Sequence, residues 1–275
     1  MKMRVMSRAV ILQHVPYAGP GRIVPVLRDF GIPTEVRHLY RGDEVPTDLD
    51  ELRVLIVLGG PMGVSDIGSD HYPFLAKEVE TLQRLVAADR AVLGIALGAQ
   101  LLAHAAGAKV YPNAKPGPAP DAPSTPMPEL GWGGVTFPFP GGTEPMVFGM
   151  TDGAPMFHWH FDTLDLPKLP PPPNAAPPPA PPPPTGNALL SSSKLCKNQA
   201  FRFKTRLFGF QYHMELTRPD VEAIVAAGQK DPRIQSVLGA DGERKLREDT
   251  EKNYSRYARL GDRLLANFVQ FLKVY

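Results

Sequence analysis

The sequence predicts an α/β fold, a mostly parallel twisted sheet with helices on both faces, a small antiparallel section and a helical C-terminal tail. Three observations carry this. Short apolar runs alternate with stretches of helical periodicity through residues 10–106. The run Arg53-Val54-Leu55-Ile56-Val57-Leu58 has the unbroken apolar character of a strand covered on both faces, and it ends in Gly59-Gly60. Residues 91–106 read as strand, tight turn and helix, closed by Gly107. In open parallel sheets ligands bind at the carboxyl ends of strands, where Gly59, Gly60 and Ala96 fall.

The elements follow in order. Val10-Ile11-Leu12 opens the sheet, and Gly19-Pro20-Gly21 starts a helix running to about Phe30. Residues 35–39 form a second strand. Leu75, Val79, Leu82 and Val86 recur at helical spacing and predict a helix over 74–88. The turn at 94–98 has the shape of a nucleophile elbow, in which a strained residue stands at the mouth of the sheet above the first N–H groups of the next helix. Its central residue is Ala96, which cannot attack anything.

After Tyr111 the pattern changes. Residues 115–128 are rich in proline and small residues and predict an irregular surface loop. Residues 131–137 and 156–160 read as strands of the antiparallel section. Residues 167–184 are dominated by proline, which fixes φ and removes donors, so an exposed polyproline II insertion is expected there. Residues 188–192 and 200–204 read as strands flanking a turn, and 207–213 as one further strand. A short helix is expected over 221–227, then an amphipathic helical end over 242–274 with Gly261 as its break. This divides the chain into a domain at 1–218, with loops at about 115–128 and 167–184, and a helical extension at 219–275 packed on it.

Composition narrows the function classes. The formal net charge of the 275 residues is +2 and no long basic run occurs, so nucleic acid and anionic membrane surfaces are not expected partners. No window approaches the roughly 18 to 20 apolar residues of a membrane helix. Cys196 is the only cysteine, which rules out an intrachain disulfide and makes a cytoplasmic location the expectation.

Residues 94–100 resemble the Gly-x-Cys-x-Gly-x-Gln signature of class I glutamine amidotransferases, with Gly94, Gly98 and Gln100 in place and alanine where the signature has cysteine. Gly59-Gly60-Pro61-Met62-Gly63, His158-Trp159-His160-Phe161-Asp162 and Phe210-Gln211-Tyr212-His213-Met214-Glu215 resemble further segments of that family, in its order. The likeness is strongest to stand-alone, GMP-synthase-like members. It implies hydrolysis of glutamine, or another γ-glutamyl amide, through a Cys-His-Glu triad, with no cofactor and no metal.

Amide hydrolysis needs a nucleophile, a base, a group to orient the base and donors for the oxyanion. His213 and Glu215 suit base and orienter, because side chains two apart on an extended segment share a side. By itself such a pair is commonplace on protein surfaces. The resemblance assigns them the family's catalytic histidine and glutamate, and Ala96 the nucleophile position. It also implies an oxyanion hole from the N–H groups of Gly60 and Leu97, and substrate contacts from Met62, Gln100, His160 and Asp162. Phe161 departs from the family, where a small residue is usual. Cys196 reads as structural.

Alanine at position 96 predicts a folded, glutamine-binding and hydrolytically dead protein. Two origins stay open, a substitution made to trap substrate and a natural loss in a pseudoenzyme. No synthetase domain is recognised in these residues, so an ammonia acceptor is expected to be a separate partner or absent altogether. The alternative is a scaffold that binds through its pocket or offers residues 167–184 to a polyproline-binding partner.

Overall fold

The computed structural model describes residues 8–117, 122–167 and 186–274. Its first half alternates strand and helix: β1 (Arg8–Gln13), α1 (Ile23–Asp29), β2 (Thr34–His38), β3 (Leu52–Val57), α2 (Phe74–Ala87), β4 (Val92–Ile95) and α3 (Leu97–Ala105). Strands then predominate: β5 (Val110–Pro112), β6 (Ala114–Lys115), β7 (Thr125–Pro126), β8 (Glu129–Thr136), β9 (Ala154–His160) and β10 (Asp162–Leu164). β11 (Ala188–Ser193), β12 (Ala200–Phe203), β13 (Leu207–Phe210) and β14 (Tyr212–His213) complete them, and α4 (Arg218–Gly228), α5 (Pro232–Leu238) and α6 (Gly242–Val274) close the chain.

Ten of the strands form one sheet in the order β14-β9-β8-β11-β12-β13-β4-β3-β1-β2. The pairs from β2 to β13 are parallel, and those from β13 to β14 are antiparallel. The α/β class and its parallel section are as expected. The antiparallel section is larger than expected, since β8, β9, β11, β12 and β14 extend the sheet sideways from β13 instead of forming a small appendage.

Both faces of the parallel strands are covered because side chains alternate along each strand. Ala9 and Ile11 of β1, with Val54 and Ile56 of β3, join the cluster formed with α1, α4 and α6. Val10, Leu12, Leu55 and Val57 point the other way and pack with α2 and α3. Each fully buried leucine, isoleucine or valine contributes about 1.5 to 3 kcal/mol.

Two local readings change in the strand region. The segment 207–213 is not one strand: β13 pairs with β4, whereas β14 pairs with β9, and Gln211 separates them. The buried Gln211 donates its N–H to the Gln199 carbonyl at 2.7 Å, and there the chain leaves the parallel section for the antiparallel one. Within 115–128, Ala114 and Lys115 pair with Pro126 and Thr125 in a two-strand ladder, so that segment is partly ordered. The polyproline reading of 167–184 falls, apart from Pro167, outside the described residues. Helix α5 has no counterpart in the sequence reading.

Gly261 does not break α6, which runs through it. A methyl group there would lie 2.2 Å from the Met214 carbonyl oxygen and 2.2 Å from Arg22 Nη2. Glycine at this point lets the helix rest against the chain between His213 and Glu215. Tyr257, one turn earlier and fully buried, accepts the Leu216 N–H at 2.9 Å. Gly261→Ala is therefore expected to destabilise the fold by about 1 to 3 kcal/mol, as overpacking does, despite alanine's better helix propensity. Urea denaturation measures this, and an unchanged midpoint would show that the contact yields.

Candidate functional site

The site begins at the junction of β4 and α3. Ala96 has φ 50° and ψ −112°, a conformation costly for a residue with a Cβ. Its N–H donates to the Phe210 carbonyl at 2.8 Å, and its own carbonyl accepts the N–H groups of Ala99 and Gln100 at 3.0 and 3.2 Å. Gly98 makes the turn possible, because a methyl there would lie 2.1 Å from the Val57 carbonyl oxygen. The elbow is therefore held in strain by its surroundings, whatever side chain it carries.

His213 comes to this point from the end of β14. Its Nδ1 lies 2.7 Å from Glu215 Oε1, and Glu215 Oε2 accepts the Met214 N–H at 2.8 Å. That bond leaves Nε2 for the cavity that His213 lines. A methyl placed on Gly59 would lie 3.0 Å from His213 Cε1 and 3.3 Å from Ala96 Cβ, so the imidazole and the elbow meet over that glycine. Among the described residues, neither the Gly60 N–H nor the Leu97 N–H donates a hydrogen bond, and both residues line the same cavity.

The cavity measures about 520 Å³, within the range of small-molecule sites. Met62, Gln100, His160 and Asp162 line it as well, so of the residues given a nucleophile, base, orienter, oxyanion or substrate role in the sequence only the buried Glu215 does not border this space. Gln100 Nε2 is anchored 3.3 Å from Gln211 Oε1. His160 uses both ring nitrogens inside the protein: Nδ1 lies 2.9 Å from the Asp162 carbonyl and Nε2 3.4 Å from Glu129 Oε2. It offers a ligand its ring, not a free nitrogen. Burial raises the Asp162 carboxyl above its ordinary range, against the pull of His160 and Arg233.

Several lining residues were missed in the sequence. Arg233 enters from α5, 2.7 Å from Asp231 Oδ2 and 5.1 Å over the Phe161 ring. Tyr17, Asp66 and Tyr72 also border the cavity. No periodicity or spacing marks residues that only the fold brings to the mouth. Cys196 does not join the cavity lining: it is buried, 3.1 Å from Thr163 Oγ1 and 3.3 Å from Gln211 Nε2, and burial pushes its thiol pKa up. A buried thiol held in its neutral form is no substitute nucleophile.

Behind His160, the buried Glu129, His158 and His160 place ligand-type atoms within 4.8 Å of one another. Gln199 Nε2 donates into the same group, to Glu129 Oε2, and lies 3.5 Å from His160 Nε2. The cluster is thus a hydrogen-bonded network that fixes His160. His158 Nδ1 lies 4.0 Å from Glu129 Oε2, and neither of its ring nitrogens makes a hydrogen bond.

The comparisons with known proteins meet this geometry. The family model for glutamine amidotransferase class-I matches residues 21–222. The chain belongs to that family. It is 25% identical over 259 residues to the glutamine amidotransferase-like protein YfeJ of Salmonella typhimurium, covering 94% of each chain. Its fold is similar to a glutamine amidotransferase of Thermotoga maritima, at TM-score 0.73 and 22% identity over 98% of this chain and 100% of that one. It is equally similar to one from Methylobacillus flagellatus, at TM-score 0.73 and 24% identity over 97% and 95%. Among the described residues no helix is long and apolar enough to cross a membrane.

The unpartnered His158 generates a pH dependence. Burial lowers its pKa from 6.5 to about 4, with Glu129 opposing and His160 adding to the shift. A histidine held neutral in the fold leaves stability intact above pH 6.5 and removes it as pH falls toward 4, because the unfolded chain takes up the proton first. Between pH 7 and pH 4.5 the chain is expected to lose about 2 to 3 kcal/mol more than a His158→Gln variant. Parallel urea denaturation at the two pH values measures the difference, and equal losses would assign the acid sensitivity elsewhere.

Proposed function

We propose that the cavity binds glutamine, or another γ-glutamyl amide, and that the site is built for thioester-mediated release of ammonia but lacks the attacking atom in this chain. The observation that carries this is the meeting of a strained elbow, a carboxylate-oriented imidazole and two unpaired backbone N–H groups in one cavity. With a thiol at position 96, His213 Nε2 would take its proton, and the thiolate would add to the amide carbon. The Gly60 and Leu97 N–H groups would hold the resulting oxyanion. On collapse the C–N bond breaks, His213 returns the proton to the nitrogen and ammonia leaves. Water, deprotonated by the same imidazole, then cleaves the thioester to glutamate.

The amino-acid end of the substrate has complementary groups at the mouth. Asp162 and Asp66 present carboxylates to its ammonium, and Arg233 presents a guanidinium to its carboxylate. Phe161 stacks under Arg233 and narrows this end, in a place where the family usually has a small residue. The one cysteine, buried and free, suits a reducing compartment such as the cytoplasm.

The methyl group of Ala96 cannot attack a carbonyl. Losing the nucleophile of a comparable triad costs on the order of a millionfold, about 8 kcal/mol of transition-state stabilisation. The fold tolerates the change because a packed cysteine behaves as a small hydrophobe. The chain is expected to bind glutamine in calorimetry without releasing ammonia, and absence of heat at millimolar ligand would remove the pocket reading. Ala96→Cys is expected to switch on ammonia release from glutamine in a coupled assay. Continued silence with binding intact would show that the site has closed in other ways.

A further inference from the structure

We propose that the buried pair His14 and Glu78 positions the oxyanion hole, by holding the Gly59 carbonyl inward so that the Gly60 N–H faces the cavity. This deepens the functional reading above and rests on it. His14 follows β1 directly, and Glu78 lies on the inner face of α2 among Leu75, Val79 and Leu82. Both side chains are 0% exposed. A buried ion pair at a place where two hydrocarbons would pack is weakly justified by stability alone.

The geometry supplies another use. His14 Nε2 lies 3.0 Å from Glu78 Oε2 and 3.2 Å from Oε1, while Nδ1 lies 3.2 Å from the Gly59 carbonyl oxygen. The Gly59 carbonyl can only accept, so Nδ1 carries a hydrogen toward it, and with Glu78 as a carboxylate Nε2 carries one too, which gives the imidazole a positive charge. Burial works against that charge, but Glu78 and the Gly59 carbonyl outweigh it and hold the His14 pKa above its ordinary value.

The peptide between Gly59 and Gly60 is planar and trans, so its N–H points opposite to its carbonyl. Two glycines put no side chain in the way of rotating this unit. The ladder of β3 gives no support either, since its last bond is from the Leu58 N–H to the Leu12 carbonyl at 3.1 Å. Among the described residues, His14 makes the only hydrogen bond to this peptide. Rotated by half a turn, the unit would aim a carbonyl at the developing negative charge. His14 and Glu78 do not line the cavity; His14 packs behind Gly60 and acts through the Gly59 carbonyl, so both are positioning residues.

Two pairs of substitutions in the Ala96→Cys protein test this. His14→Asn with Glu78→Gln keeps a donor where Nδ1 stands and removes both charges. His14→Leu with Glu78→Leu keeps the packing and removes the donor. The leucine pair is expected to lower kcat about 100- to 1,000-fold, the usual effect of losing one oxyanion donor, with KM changed less than about threefold, and the asparagine pair to recover most of it. Equal kcat in the two pairs, or a fall expressed mainly in KM, would overturn the proposal. Should the leucine pair not fold, His14→Gln with Glu78→Gln replaces it, because that amide reaches toward the Nε2 position and leaves Gly59 without a donor. Crystal structures of the same pairs in the Ala96 chain give a readout free of turnover. The Gly59 carbonyl is expected to turn toward the cavity only where the donor is lost, and an unmoved peptide in the leucine or glutamine pair would overturn the proposal. A silent Ala96→Cys protein with a rotated peptide would instead count against the functional reading alone.

Discussion

The site depends on one backbone constraint, the left-handed conformation forced on Ala96. A residue with a Cβ adopts φ 50° only when its surroundings leave no alternative. Here β4 is fixed between β3 and β13, the Phe210 carbonyl takes the Ala96 N–H, and α3 starts immediately with Gly98 against Val57. The elbow side chain therefore projects into the cavity and the Leu97 N–H is left without a partner. These consequences follow from the backbone and not from the chemistry of residue 96, which is why the turn keeps this form with only a methyl group at its centre.

A second junction brings the imidazole to that elbow. The chain passes from β13 to β14 through Gln211, leaving a parallel neighbour for an antiparallel one. A single strand over 207–213 would have carried His213 along the side of β4. The break turns it across the end of that strand, over Gly59. Helix α6 presses on the same stretch through Gly261 and Tyr257, so the segment from Phe210 to Leu216 is held from both sides. Precision at the site thus comes from the core on the α6 face of the sheet, not from the site residues themselves.

Charge is handled differently in three buried clusters. Glu215 has His213 and a backbone N–H, and Glu78 has His14, so each carboxylate meets donors. Glu129 meets Ser193, Gln199 and His160; burial raises its pKa, but His160, His158 and Ser193 outweigh that cost and lower it. His158 has no such partner and stays neutral. Glu129 and His158, neighbours at similar depth, therefore differ in charge because they differ in hydrogen-bonding partners, and no count of residues conveys that difference.

The sequence by itself determined the α/β class, the strand, turn and helix around Ala96, the glycines that the turn requires and the absence of a sulfur there. These are local properties, written in hydrophobic period, glycine placement and residue type over a few neighbours. It also marked His213, Glu215, His160 and Asp162 through motifs of a known pattern. Tertiary structure alone decided that the strand over 207–213 is broken, that Gly261 is a contact and not a hinge, that α5 delivers Arg233 to Phe161, and that His14 and Glu78 meet beneath Gly59. Each of those depends on segments distant in the chain approaching within a few ångströms. Only the folded packing defines such distances, because periodicity describes which face of an element is buried and not what it is buried against.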